Sequence, residues 1–284
     1  QVGVVEDNNF TRKALFHSPN FGEGIDKENT MALIQLPVQD LLRENENHCC
    51  DGCGPAGICV KIVSIAELPT RFGDFQIVAF ENDKDGKDHI AIVRGDVTDG
   101  EDIPVRLHSE CLTGDALGSL RCDCRDQLEA ALTAIGKLEK GIVLYLRQEG
   151  RGIGLANKIR AYSLQDAGLD TVEANLALGF RDDERDYEVA AHMLMSLKVQ
   201  SIQLMTNNPR KIDDLKRYGV RVNGRLPHVL PPNPYNEFYL RTKAEKSGHM
   251  LELKDFKGKV HLREQDDHPV VKGMTPAQIE ALHE

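Results

Sequence analysis

The sequence predicts an α/β fold, a mixed sheet with helices packed on it, and three observations lead there. Short apolar, β-branched runs alternate with segments whose apolar residues fall at helical spacing. No internal repeat or low-complexity tract interrupts that alternation, so a layered sheet-and-helix arrangement is the simplest way to bury both kinds of element. The chain has 284 residues, 40% of them hydrophobic, which suffices for a substantial core.

Regular patterning begins at Val60. FQIVAF (75–80) and HIAIVRGDV (89–97) flank the charged segment ENDKDGKD, which reads as a hairpin. In DQLEAALTAIGKLEKG, Leu128, Ala131, Leu132 and Ile135 keep helical spacing until Gly141 stops the run, and GIVLYL follows as a buried strand. LANKIRAYSLQDAG is expected to be an amphipathic helix ending at Gly168, DYEVAAHMLMSLKV a third helix, and SIQLMTN a strand. Three regions follow: an appendage at 1–60, a main domain at 61–250 and a charged, Pro-punctuated extension at 251–284.

The formal charge is −10 and the pI near 5.5, a balance that disfavours a nucleic-acid binder but leaves room for a cationic cleft that takes a small polyphosphate. No run approaches the ~18 apolar residues of a membrane span, and QVGVVEDNNF lacks the order of a secretory signal, so a cytoplasmic protein without membrane contact is expected. Seven cysteines are an odd number, and a chain this long needs no disulfide scaffold; reduced thiols or metal ligands are expected.

Cys111, Cys122 and Cys124 lie close together, the last two within the polar segment RCDCRD, where packing roles for both are hard to arrange. Three thiolates hold zinc tetrahedrally and leave one position open, and zinc lowers the pKa of a bound water towards ~7. Three unrelated buried thiols are the alternative. RQEGRGIGL, after the strand GIVLYL, lets backbone N–H groups approach an anion, although it lacks the Walker ending and the dinucleotide glycine spacing. RDDERD reads equally as a solvated charge cluster.

VRLHSECLTGDALGSLRCDC, LYLRQEGRGIGLANKIRAYSLQDAGLDTVEANLALGF and LMTNNPRKI, taken in order, resemble the signature series of GTP cyclohydrolase II over about residues 66–250. The resemblance implies conversion of GTP to a diaminopyrimidine ribosylamine phosphate with release of formate and pyrophosphate, zinc acting at the purine, magnesium at the phosphates, and a homodimer. It implies Cys111, Cys122 and Cys124 as the metal ligands, and Asp183 and Arg185 as acid–base and nucleophile, with a phosphate clamp as the simpler role for Arg185. It implies a proton donor or relay in Tyr162, and substrate contacts at Arg106, Leu107, His108, Ser109, Glu110, Gln127, Glu149, Gly150, Arg151, Thr171, Thr206 and Lys211; Glu149 and Gln127 are the candidates for reading guanine.

Two departures stand out. Where the family usually has glycine after the third ligand, this chain has Arg125; if the position needs positive φ, a side chain there costs roughly 1 kcal/mol. Cys49, Cys50, Cys53 and Cys59, in CCDGCGPAGIC, lie outside the resemblance as a second metal site or a reduced, thiol-rich linker. The acidic run of a fused dihydroxybutanone-phosphate synthase is absent, RENEN at 43–47 being a faint echo, so a monofunctional chain is expected. Two rivals are a homologue that stops at a formamide product or serves pyrimidine breakdown, and a GTP-binding regulator without turnover.

Overall fold

The runs flanking the charged segment pair as the predicted antiparallel hairpin, β2 (Gly73–Asn82) with β3 (His89–Arg94), Val78 opposite Ala91. The structure, a computed structural model, describes residues 35–47, 57–228 and 230. Further strands are β1 (Val60–Thr70), β4 (Ile103–Ser109), β5 (Gly141–Leu146), β6 (Ile202–Met205) and β7 (Val222–Leu226). They form one sheet in the order β1-β2-β3-β5-β4-β6-β7. The β1–β2, β2–β3 and β3–β5 pairs are antiparallel and the β5–β4, β4–β6 and β6–β7 pairs parallel. The sheet is mixed, as the sequence led us to expect.

Six helices are described: α1 (Val38–Asn47), α2 (Cys124–Ile135), α3 (Gly154–Asp166), α4 (Thr171–Ala177), α5 (Glu188–Ser196) and α6 (Pro209–Arg217). The sheet is covered on both faces. Leu144 joins the larger core with Phe80, Leu107, Met193 and Leu204, while its neighbour Val143 joins a second cluster with Phe75, Ala131, Ile135 and Met205. Successive strand residues point to opposite faces, so α5 and α2 must lie on opposite sides of β5. That is why GIVLYL is continuously apolar rather than alternating.

Three findings modify the expectations. Helix α3 forms but is not apolar on its inner side: it buries Lys158 and Ala161 and leaves Leu155 and Ile159 40% and 47% exposed. Ala161 and Leu164 pack it against Ala174 and Leu178, while Lys158 occupies the rest of its buried side. Leu36 and Leu41, within the stretch expected to be an appendage, belong to the main core. Cys59 is disulfide-bonded, which corrects the expectation of a reduced thiol there and removes it as a metal ligand, since a sulfur bonded to sulfur has no thiolate to offer. Cys49, Cys50 and Cys53 lie outside the described residues, as do 231–284. Among the described residues no helix is long and apolar enough to cross a membrane.

The parallel half of the sheet positions the site. Strands β4, β5 and β6 run side by side and end together, with Ser109 opposite Leu146 and Arg106 opposite Met205. In sheets of this kind ligands bind beyond the carboxyl ends of the strands, and the three loops emerging there carry the sequence's chemical motifs.

Candidate active site

Beyond β4 the chain makes one π-helical turn, Leu112–Ala116, and brings the cysteines together. The sulfurs of Cys111, Cys122 and Cys124 lie within 4.8 Å of one another, with Cys111 Sγ 3.6 Å from Cys122 Sγ. Tetrahedral zinc with Zn–S near 2.3 Å needs a sulfur separation of about 3.8 Å, so the thiols fit that ion. Gly114 closes the turn over them. A Cβ there would sit 2.8 Å from Cys122 Sγ and 3.1 Å from Cys111 Sγ, so a side chain would fill the cradle. Without metal the thiols share charge unequally. Hydrogen bonds from Cys122 and Cys124, with the nearby Lys158 ammonium, hold Cys111 far below the usual thiol range, while Cys122 and Cys124 are pushed up as donors to it.

Arg125 does not strain this loop. It lies in the first turn of α2 and is not among the residues with positive φ. Its guanidinium instead donates to Asp115 O (3.1 and 3.0 Å) and Ala116 O (2.9 Å), bracing the last carbonyls of the π turn. Restoring the family's glycine, Arg125→Gly, is expected to lower stability by about 1 kcal/mol through the lost carbonyl bonds and the poorer helix residue. Urea unfolding at matched zinc occupancy measures it.

Asp115 is the hub of the π turn. It accepts from Cys111 N (3.0 Å), Tyr145 OH (2.9 Å) and His108 Nε2 (3.1 Å), and His108 stacks on Tyr145 at 5.4 Å. A carboxylate only accepts, so His108 carries its proton on Nε2, and burial lowers its pKa despite Asp115. Nδ1 is therefore an acceptor, and like Ser109 Oγ and Arg106 Nε it is buried without a hydrogen-bond partner among the described residues. The sequence had no means of exposing Asp115, because its partners lie 4, 7 and 30 residues away.

The second centre is a cleft lined by Arg106, His108, Ser109, Cys124, Gln127, Arg151, Asp182, Asp183, Arg185, Thr206, Asn207, Asn208, Arg210 and Lys211. Five cationic side chains against two carboxylates make it a positive pocket in a chain of net charge −10. Residues 181–186 are not helical; Asp183 Oδ1 accepts from Arg185 N (3.0 Å) and Nε (2.8 Å), and Oδ2 from Arg185 Nη2 (2.5 Å). Burial pushes the Asp183 carboxyl up, but these bonds and the guanidinium charge outweigh it and hold it at about 2. Arg210 donates to Asp183 O (3.2 Å) and Arg185 O (3.1 Å). Arg106, brought down to about 10 by burial and supported by the charge of Asp123, remains a cation at neutral pH and donates to Met205 O (3.0 Å) and Gln127 Oε1 (2.5 Å). Lys211, at the start of α6, donates to Leu107 O at 2.8 Å, and Thr206 Oγ1 accepts from Asn208 N at 3.0 Å.

Not every expected residue faces this cleft. Leu107 is fully buried in the core. Glu110, Glu149 and Gly152 line a neighbouring depression with Arg147. Glu149 is turned inward, accepting from Leu112 N (2.7 Å), Gly150 N (2.8 Å) and Lys158 Nζ (2.7 Å). Gly150 and Arg151 adopt φ of 62° and 59° in the 3₁₀ turn Glu149–Gly152, and Arg151 Nη1 reaches Asp182 Oδ1 at 2.6 Å. Thr171 opens α4 behind an Asp170–Glu173 capping box. Tyr162 OH lies 3.2 Å from Thr113 Oγ1, itself 3.8 Å from Cys111 Sγ, with the Arg121 guanidinium 4.8 Å over its ring.

His228 lies against the backbone of Gln127, one of the cleft residues. Its Nε2 lies 2.9 Å from Gln127 O, a carbonyl that only accepts, so Nε2 is protonated. Burial, then the Arg106 charge, lower its pKa to about 4. Between that value and the ordinary ~6.5 the unfolded chain binds a proton the folded chain refuses. Stability is therefore expected to fall as pH drops through this window, by up to about 3 kcal/mol, and to be recovered above it. His228→Gln should flatten that dependence in urea unfolding at pH 7 and pH 5.

An α/β sheet that carries three clustered thiols beside a cationic cleft has the parts of an enzyme site. A family model for GTP cyclohydrolase II matches residues 61–227, and the chain belongs to that family of enzymes. It is 55% identical over 192 residues to a GTP cyclohydrolase-2 of Picrophilus torridus, covering 68% of this chain and 100% of that one. It is 59% identical over 192 residues to a GTP cyclohydrolase-2 of Tolumonas auensis, covering 68% and 98%. A riboflavin biosynthesis protein RibBA of Endomicrobium trichonymphae is 56% identical over 191 residues, covering 67% of this chain and 47% of that one.

Proposed function

We propose that this chain hydrolyses GTP to 2,5-diamino-6-(5-phosphoribosylamino)pyrimidin-4(3H)-one, formate and pyrophosphate, the first step of riboflavin biosynthesis, with one zinc per chain and magnesium on the substrate phosphates. The observation that carries this reading is the adjacency of the two centres: Cys124, one of the three clustered thiols, also lines the cationic cleft. Two bonds must be attacked by different means, at C8 of the purine and at the α-phosphorus, and a single nucleotide spanning the cleft meets both. Cys111, Cys122 and Cys124 would hold zinc, which when bound supplies Lewis-acid polarisation and a water of lowered pKa.

The remaining steps fall to the chain's own groups. Arg106, Arg185, Arg210 and Lys211 bind the triphosphate, and planar guanidinium forks suit its oxygens. Asp183 fixes the Arg185 fork by its bidentate bonds, which orients it as a phosphate clamp, the role this reading assigns to Arg185. Burial raises the Tyr162 hydroxyl pKa, so it holds a proton on its oxygen at neutral pH, beside Thr113 and next to the thiol cradle. His108 Nδ1, Ser109 Oγ and the Gln127 side chain offer polar partners for the nucleotide.

We divide the chain into a catalytic domain from about 61 to 250 with flanking segments, and expect a homodimer, supported by family resemblance; light scattering should give twice the 31.6 kDa chain mass. Three free thiols suit the reducing cytoplasm, while the Cys59 disulfide pulls the other way.

The test is incubation with GTP, zinc and magnesium, followed by assay of formate, pyrophosphate and the product's ultraviolet spectrum. Formate and pyrophosphate released in equal amounts support the reading. Absence of formate from protein with its metal bound overturns it; pyrophosphate alone would instead mark an enzyme that stops early, and binding without products a regulator.

A further inference from the structure

Helix α3 turns a lysine to the protein interior. Lys158 is 8% exposed, and its Nζ lies 3.1 Å from Cys111 Sγ and 2.7 Å from Glu149 Oε1. Burying an ammonium costs several kcal/mol unless it is closely paired, so this placement demands partners that repay it. The backbone makes room for the stem: a Cβ on Gly150, where φ is +62°, would lie 3.0 Å from Lys158 Cβ. The glycine of the EGRG turn thus serves the lysine as well as the turn.

The charges explain the arrangement. Three thiolates around a divalent ion leave a surplus of one negative charge, and a buried net charge needs a counter-charge close by. The neighbouring Glu149 carboxylate is itself held by Leu112 N and Gly150 N. Lys158 stands between both anions. Leu112 N belongs to the π turn and Glu149 to the turn after β5, so one carboxylate–ammonium pair joins the two loops beside the sulfurs.

We propose that Lys158 is a positioning residue of the metal centre: its ammonium offsets the surplus negative charge of the zinc–trithiolate group and sets how tightly the ion is held. The inference rests on the reading that these cysteines hold zinc. Groups just outside a metal's ligands act on affinity by about 10–100-fold. Lys158→Met, which keeps the stem and removes the charge, should weaken zinc binding by that factor in competition with a chelating dye, and Lys158→Arg should recover most of the loss. A packing role predicts the opposite pattern, because methionine fills the space better than arginine.

Far-UV circular dichroism establishes that each variant is folded. Should Lys158→Met not fold, Lys158→Ala measured with and without propylammonium takes its place, since the added amine returns the cation to the vacated space. Zinc affinity that follows the charge supports the inference. Wild-type affinity in Lys158→Met, or an alanine variant indifferent to the amine, overturns it alone. Wild-type protein that holds no zinc overturns the metal reading and this inference together.

Discussion

Arg185→Lys is expected to slow pyrophosphate release by about 10²–10³-fold while leaving zinc content at the wild-type level. The reason is geometric. Arg185 is fixed by two side-chain bonds to Asp183, through Nε and Nη2, which hold its planar group in one orientation in the cleft. A lysine keeps the charge but is a point donor on a flexible stem, and at a bidentate site that exchange is not conservative. The two-centre reading makes a further demand: formate release should fall much less than pyrophosphate release, because the thiol cradle is untouched. Separate assay of the two products checks this. Equal loss of both would mean that phosphate engagement precedes all chemistry, and undiminished pyrophosphate release would remove Arg185 from the phosphate centre.

Asp183→Asn sharpens the same argument. The amide keeps the size of the side chain but loses the charge and one acceptor, so Arg185 would be held less firmly. A clamp tolerates this better than a nucleophile that needs a base beside it.

Much of the frame could be read from sequence, and what could not has physical reasons. The β2–β3 hairpin, α2, β5, α5 and β6 announce themselves by their apolar side chains, alternating in β3, at helical spacing in α2 and as nearly continuous buried runs in β5 and α5. Strand β4 shows the alternation, with Ile103, Val105 and Leu107 against Pro104, Arg106 and His108, but its polar side is buried as well: Arg106 and His108 face protein where the pattern predicts solvent. Helix α3 was legible as an amphipathic helix, but Lys158 stands among its buried residues where the pattern predicts an apolar one. Elements that carry chemistry are where local pattern and tertiary role diverge. β7 and α6 are harder to read because VNGRL and PRKIDDLKR are mostly polar: β7 is placed by pairing with β6, and α6 by the Asn208 cap and by Ile212 and Leu215 against the main core.

For the site, motif resemblance supplied residue names and the fold supplied their relations. The cysteines were visible because metal chemistry constrains residue type so tightly. Lys158 and Asp115 were not, since a lysine in a helix and an aspartate in a loop are by default solvated. One signal was present: Lys158 and Tyr162 are four residues apart on α3 and so share a face, which placed a lysine beside a candidate catalytic tyrosine. Arg125 shows the converse. The departure from glycine looked costly in sequence, but its backbone is ordinary helix and its side chain reaches carbonyls of the π turn that a glycine would leave to solvent.

Cys124→Ser should separate the two centres from the other side. Cys124 begins α2 and lines the cationic cleft, so it stands where the metal cradle and the phosphate pocket meet. A serine hydroxyl is nearly isosteric but does not ionise at neutral pH, and the ion would lose one of three thiolates. Zinc affinity is expected to fall by more than the ~100-fold that an outer partner costs, leaving dialysed protein essentially metal-free by atomic absorption, with formate release lost alongside. Nucleotide binding should survive, because Arg106, Arg185, Arg210 and Lys211 are unchanged and are held by bonds to Met205 O, the Asp183 carboxylate, Arg185 O and Leu107 O that the substitution leaves in place. Calorimetric titration with a non-hydrolysable GTP analogue and magnesium measures that directly. Zinc retained at one per chain in Cys124→Ser would take this cysteine out of the ligand set, and binding lost together with the metal would show that the cleft and the cradle are one centre instead of two.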